Sequence, residues 1–224
     1  MSDWAGVRER VLALAGAPDG AKVFGANYHG FELDEPLTAA DLDAVETLLG
    51  VELPEDYRTF LLDVGAGGAG PAYGVFPLRR VGERAWRWIG DGGDLTDPGR
   101  LAEPFPDPVD PAALEALAAE RPEEEDFEDV DDFDPVYEAW EERMVELLHD
   151  PRRTAGAICL CHEGCARRVW LVVAGPERGR MWLDPRCDDA DLCPLTDVRG
   201  VPVDFRGWYL GWLAEAESVC GVGR

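Results

Sequence analysis

Two neighbouring segments between residues 37 and 64 place their hydrophobic side chains at helical spacing. The first predicts a helix that Thr38 caps, that Asp41 supports through a capping box, and that Gly50 ends in a left-handed conformation. The second starts at Pro54, where the missing amide of a first-turn proline costs nothing. The two apolar stripes are Leu42, Val45, Leu48 and Leu49, and Tyr57, Phe60, Leu61 and Val64.

Apolar runs in the last third of the chain predict an antiparallel meander. Strands are expected over 157–161, 168–174 and 179–183, because the short turns between them have hairpin length. Asp204 then caps a closing helix with an aromatic face. At the other end, Ser2 is expected to cap a first helix, and residues 21–33 predict a strand or an ordered loop.

The glycine-rich segment 65–71 follows the second helix directly and has too few side chains to contribute much to a core. A phosphate-binding loop is disfavoured, because no Lys-Ser/Thr pair follows the last glycine and no strand precedes the first. The segment therefore predicts a tight connection in which backbone approaches backbone.

Together these features resemble the signature of the SUKH superfamily, which includes the Smi/Knr regulators of fungal cell walls and bacterial immunity proteins. The matching residues are Glu46, Leu48-Leu49-Gly50, Leu53-Pro54-Glu55-Asp56-Tyr57-Arg58, Phe60-Leu61 and Tyr73-Gly74. The resemblance implies an α+β fold with a mixed, curved sheet and helices mainly on one side. It also implies one domain over residues 1–224, with an insertion over 91–150.

The insertion begins with a loop rich in Gly, Asp and Pro over 91–110, and a short helix is expected over 111–120. The acidic segment, residues 123–134, follows, and nine of its twelve residues are Asp or Glu. Two alternatives stay open for it: a solvated, partly disordered stretch, or a segment that folds onto a basic partner. Asp134 and Pro135 predict the start of the next helix.

Charge narrows the range of partners. The chain has 224 residues and a formal net charge of −25, from 46 acidic and 21 basic side chains. Such a surface repels nucleic acids and anionic membranes and attracts cationic proteins. No apolar stretch is long enough to span a membrane and no signal peptide is recognisable, so a cytoplasmic protein is expected. The six cysteines are then expected to be reduced thiols.

One group of residues has side chains that can bind a metal or act as nucleophiles: Cys159, Cys161, His162 and Cys165. The spacing is poor for zinc, because alternate residues of a strand do not form the usual two-residue knuckle. Adjacent strand residues also project to opposite faces, so Cys161 and His162 do not form a nucleophile pair. The sequence therefore predicts no catalytic residue, no cofactor and no metal.

The resemblance and the charge together predict a non-enzymatic immunity protein that neutralises a cognate, basic polymorphic toxin such as a nuclease or deaminase. The alternative is a regulatory scaffold that recruits a partner through its acidic surface. In segment 79–88 the tryptophans either cover the sheet or form an exposed patch. The residues predicted to contact the partner are Trp86, Trp88, Glu123, Glu124, Glu125, Asp126, Phe127, Glu128, Asp129, Asp131, Asp132 and Phe133.

Overall fold

A computed structural model describes residues 4–82 and 85–222. Within these residues the α-helices are α1 (Val7–Leu14), α2 (Ala26–His29), α3 (Ala39–Leu49), α4 (Glu55–Asp63), α5 (Pro111–Ala119), α6 (Val130–Leu148) and α7 (Phe205–Cys220). The strands are β1 (Leu78–Val81), β2 (Ala85–Trp88), β3 (Ala157–Gly164), β4 (Arg167–Val172), β5 (Met181–Asp184) and β6 (Cys193–Pro194). The expected α+β class is confirmed.

The turn between α3 and α4 is held by one carboxylate. Oε1 of Glu46 accepts hydrogen bonds from the Leu53 amide and from Nε of Arg58, both at 2.8 Å. The predicted capping box of Thr38 and Asp41 is present at the start of α3. Because Leu53 is fully buried, its amide has no access to water and depends on Glu46. Glu46 therefore fixes the angle at which the two helices meet.

The glycine segment is a buried connection, as predicted. Gly68 has φ +112°, and a Cβ built there would lie 2.4 Å from the Glu32 carbonyl oxygen. Its amide donates to the Val75 carbonyl and its own carbonyl accepts from the Val75 amide, both at 2.8 Å. From α7, the Tyr209 hydroxyl donates to the Ala69 carbonyl at 2.8 Å. Backbone contacts therefore lock this segment against the core.

Strands β3, β4, β5 and β6 form one sheet in that order, and β1 and β2 form a separate hairpin. Every strand pair in the described residues is antiparallel, so the expectation of a mixed sheet was wrong. The reason is the short connections: β3 and β4 are joined by Cys165 and Ala166, which both have positive φ, and such a turn reverses the chain. The predicted meander is confirmed.

The core runs from Trp4 in the N-terminal segment to Cys220 in α7. The first five residues of β3 and the last five residues of β4 are buried, so both faces of these strands are covered there. Leu48, predicted on the buried stripe of α3, is instead 52% exposed. Residues 21–33 contain a 3₁₀ turn and the single-turn helix α2 instead of a strand. The predicted cap Ser2 lies outside the described residues, and α1 begins after Gly6.

Helices α5 and α6 form a small core of their own. Leu117 of α5 packs with Trp140, Met144 and Leu148 of α6, and Nε1 of Trp140 donates to the Leu117 carbonyl at 2.8 Å. Helix α6 begins at Val130, five residues before Pro135, so the predicted start at Asp134 was wrong. The Asp129 carboxylate provides the cap, accepting from the Asp131 amide at 3.1 Å.

Candidate partner-binding surface

The acidic segment contains a short turn and the start of helix α6. Glu124–Asp126 form a 3₁₀ turn, and Asp129 caps α6, whose first turn contains Asp131 and Asp132. Every carboxylate of the segment is exposed. Carboxylates near a helix N-terminus are favoured by the unpaired amides and the helix dipole there. Both alternatives, a solvated and partly disordered stretch and a segment that folds onto a basic partner, stay predictions.

A row of four aromatic rings runs from the acidic segment along helix α6. Phe127 contacts Phe133 with ring centroids 5.6 Å apart, Phe133 contacts Tyr137 at 5.3 Å, and Tyr137 contacts Trp140 at 5.5 Å. The guanidinium of Arg121 lies over both Tyr137 and Trp140. Phe127 and Phe133 are half-buried by these contacts. They serve mainly to hold the carboxylates in place, and contact with a partner stays a prediction for them.

Two shielded ion pairs lie where the insertion meets the rest of the chain. Arg153 pairs with Asp191 at 2.9 Å, and Asp191 also accepts from the Val109 amide at 2.6 Å. Arg186 pairs with Asp184 at 2.6 Å and donates to the Leu148 carbonyl, the last residue of α6, at 3.0 Å. Because each of these charged side chains is at most 15% exposed, the pairs are little weakened by solvent. They connect the chain on either side of α5 and α6 to residues 184–191.

The two tryptophans of the β1–β2 hairpin have different positions. Trp88 is 4% exposed, and its Nε1 donates to the Tyr57 hydroxyl at 2.8 Å, which places it in the core. The prediction that Trp88 contacts a partner is therefore wrong, because this side chain is buried against Tyr57 of helix α4. Trp86 is half-buried against the core, and its contact with a partner stays a prediction.

The cysteine-rich strand has no nucleophile geometry. Cys159 and Cys161 are buried, and burial raises the pKa of both thiols, that of Cys159 to about 12. Sγ of Cys161 donates to the Pro71 carbonyl at 3.3 Å, and Cys165 lies exposed at the hairpin turn. Within residues 4–82 and 85–222, no three His, Cys, Asp or Glu side chains converge as metal ligands. In the same residues, no helix is both long and apolar enough to cross a membrane.

A hollow of about 350 Å³ beside the glycine segment was not predicted from the sequence. It is lined by residues far apart in the chain, among them Tyr28, Glu32, Tyr73, Arg79 and His162. Asp34 forms a bidentate pair with Arg79 at its rim, with distances of 2.6 and 2.9 Å. For the part of this lining that lies within residues 21–33, the sequence predicted only a strand or an ordered loop.

Two imidazoles line this hollow. Nδ1 of His29 accepts from the Phe31 amide at 3.1 Å, and burial lowers the pKa of His29 to about 4. Nδ1 of His162 lies 3.2 Å from Asp91, and burial, with Arg168 nearby, lowers the pKa of His162 despite this carboxylate. Both rings are therefore neutral at pH 7. Among the described residues, neither Nε2 atom has a hydrogen-bond partner.

The helices and the antiparallel strands define an α+β protein. The family model of the SMI1 / KNR4 family (SUKH-1) matches residues 36–174, more than half of the chain. The chain belongs to this family, which includes toxin immunity proteins and Knr4 regulators and is generally non-enzymatic. No curated protein and no solved structure gives a significant match.

Proposed function

We propose that this chain is an immunity protein, which neutralises a basic toxin by binding to it and has no catalytic activity of its own. The observation that carries the proposal is the acidic segment: nine carboxylates, all exposed, on a folded support in a chain of net charge −25. Toxins that act on nucleic acids, such as nucleases and deaminases, need basic clefts to hold their substrates. An acidic surface of this kind complements such a cleft.

Rigidity favours an inhibitor. The aromatic row packs against the segment that carries the carboxylates, so we expect little conformational entropy to be lost when a partner docks. Charge at this density also accelerates the encounter with a cationic partner, by between about 10-fold and about 1000-fold in favourable cases. The proposal therefore expects fast association that slows as salt is added.

The test uses the product of the reading frame adjoining the gene, because a toxin and its immunity protein are expected to be inherited together. Addition of the purified chain should abolish the toxic activity of that product at stoichiometric amounts. The association rate should fall about tenfold when Glu124, Glu125 and Glu128 are all changed to Gln.

The matched control changes three exposed carboxylates outside the insertion: Glu9→Gln, Asp43→Asn and Glu52→Gln. Both triple variants lose the same net charge, so only the position of the charges differs between them. An equal effect of the two variants would contradict a role for the acidic segment, and failure of the wild-type chain to bind or inhibit would contradict the proposed function.

A regulatory scaffold is the second candidate, because the family also includes Knr4 regulators. A scaffold would form a complex through the acidic segment and leave the partner fully active. Measuring the partner's activity in the saturated complex separates the two functions: an immunity protein abolishes it, and a scaffold does not.

A further inference from the structure

Two exposed aromatic rings contact Tyr73, which lines the hollow. Phe24 and Tyr28 are 63% and 75% exposed. Both contact Tyr73, with ring centroids 5.4 and 5.3 Å apart. Tyr73 in turn lies 5.3 Å from the His162 ring. Contiguous exposed aromatics of this kind are typical of binding sites, because large rigid side chains supply contact area at a low entropic cost.

The charges of the hollow favour a cation. Three carboxylates line it, Glu32, Asp34 and Asp91, against one guanidinium, that of Arg79. Arg79 is bound to Asp34, and Asp91 is shared between His162 and Arg168. Glu32 is exposed, and no ion pair is found for it among the described residues. A cation that enters the hollow therefore meets an available carboxylate beside two tyrosine rings.

The two imidazoles of the lining have buried Nε2 atoms. Because Nδ1 of neutral His29 accepts from the Phe31 amide, its proton resides on Nε2. Nδ1 of His162 lies 3.2 Å from the Asp91 carboxylate. Since the Nε2 atoms of both rings are buried, neither is exposed to a ligand in the hollow.

We propose that the hollow binds a basic peptide segment of the protein partner, with an arginine side chain against Tyr28 and Tyr73 and its guanidinium toward Glu32. The partner is the basic toxin of the proposed function, on which this inference rests, and the hollow is a contact surface separate from the acidic segment. Arginine suits the site because its planar cation stacks on tyrosine and pairs with a carboxylate.

The test titrates the isotopically labelled full chain with the peptide acetyl-Gly-Gly-Arg-Gly-Gly-amide and follows the resonances by NMR. A second peptide carries citrulline, which keeps the shape of arginine without its charge. The arginine peptide should shift the signals of Tyr28, Tyr73 and His162 and bind about tenfold more tightly than the citrulline peptide.

Tyr28→Ala and Glu32→Gln should each weaken binding of the arginine peptide about tenfold. Both side chains are exposed, so the fold is expected to tolerate the changes. The matched control is Leu48→Ala, which removes an exposed apolar side chain that does not line the hollow and should leave the affinity unchanged.

Equal binding of the two peptides, or shifts confined to the acidic segment, would overturn the inference. The same would follow if Tyr28→Ala bound as well as the wild type. These outcomes are distinct from a failure of the proposed function, which shows as absence of toxin binding by the wild-type chain. If the toxin binds Tyr28→Ala as well as it binds Leu48→Ala, the proposed function survives and the hollow is excluded as a contact surface.

Discussion

Replacing Glu46 by Ala should destabilise the chain more than any other single carboxylate change in the helix pair. The substitution leaves the Leu53 amide unpaired in a fully buried position, which costs about 1–3 kcal/mol. It also removes the partner of Arg58, whose pair with Glu46 is largely shielded and adds about 1 kcal/mol. The expected loss in the free energy of unfolding is therefore about 2–4 kcal/mol.

Glu55→Ala is the matched control, because Glu55 pairs with the same arginine at 3.2 Å but is 72% exposed. This exposed pair should contribute at most about 0.5 kcal/mol. The assay is urea denaturation followed by tryptophan fluorescence, with both variants compared at the same pH. If Glu46→Ala and Glu55→Ala shift the midpoint equally, then Glu46 does not hold the turn between α3 and α4, and the structural reason given for this part of the family signature is wrong.

Three further variants test other parts of the structure. Gly68→Ala should cost more than about 3 kcal/mol, because its Cβ meets the Glu32 carbonyl at an unfavourable φ; an unchanged melting temperature would contradict the packing of the glycine segment. Trp88→Phe should cost about 1–3 kcal/mol through the loss of the bond to Tyr57 and of buried area, and urea midpoints check this. The pKa of His29 is about 4 when folded and 6.5 ordinarily, so the unfolded state binds the proton first. Stability should fall by about 2 kcal/mol as pH drops from 6.5 to 4, after allowance for partial solvent access, and His29→Gln should remove that fall; an identical pH profile for both proteins would refute it.

Local signals predicted the helix pair well. Thr38, Asp41 and Gly50 act within one or two turns of the backbone they cap, so their sequence spacing determines their structural role. The meander was equally accessible, because hairpin length forces neighbouring strands to run antiparallel. The same reasoning shows why the mixed sheet was wrong: it came from the family resemblance and not from the turns of this chain.

Several features that were not predicted from the sequence depend on contacts between residues far apart in the chain. Trp86 and Trp88 alternate along a strand and look alike in sequence, yet only Trp88 meets the Tyr57 hydroxyl, 31 residues away. The start of α6 was placed at Pro135 because proline favours a first turn, whereas the cap at Asp129 prevailed. The hollow is formed by residues from Tyr28 to His162, which no local pattern brings together.

The exposure of the carboxylates in the acidic segment was predicted from the sequence, but the contacts among the aromatic rings were not. Phe127 contacts Phe133, which contacts Tyr137, and the predicted contact of both phenylalanines with a partner stays a prediction. Half-buried aromatics of this kind stabilise the surrounding backbone. Residues 123–134 therefore present an exposed acidic surface.

The account depends on the claim that this surface binds a basic protein through charge. The most direct measurement is the association rate between the full chain and the product of the adjoining reading frame, recorded by stopped-flow fluorescence at increasing NaCl concentrations. The account predicts rapid association whose rate falls steeply with salt, and a smaller salt dependence in the variant that changes Glu124, Glu125 and Glu128 to Gln. An association rate that does not change with salt, or no complex at any salt concentration, would contradict it.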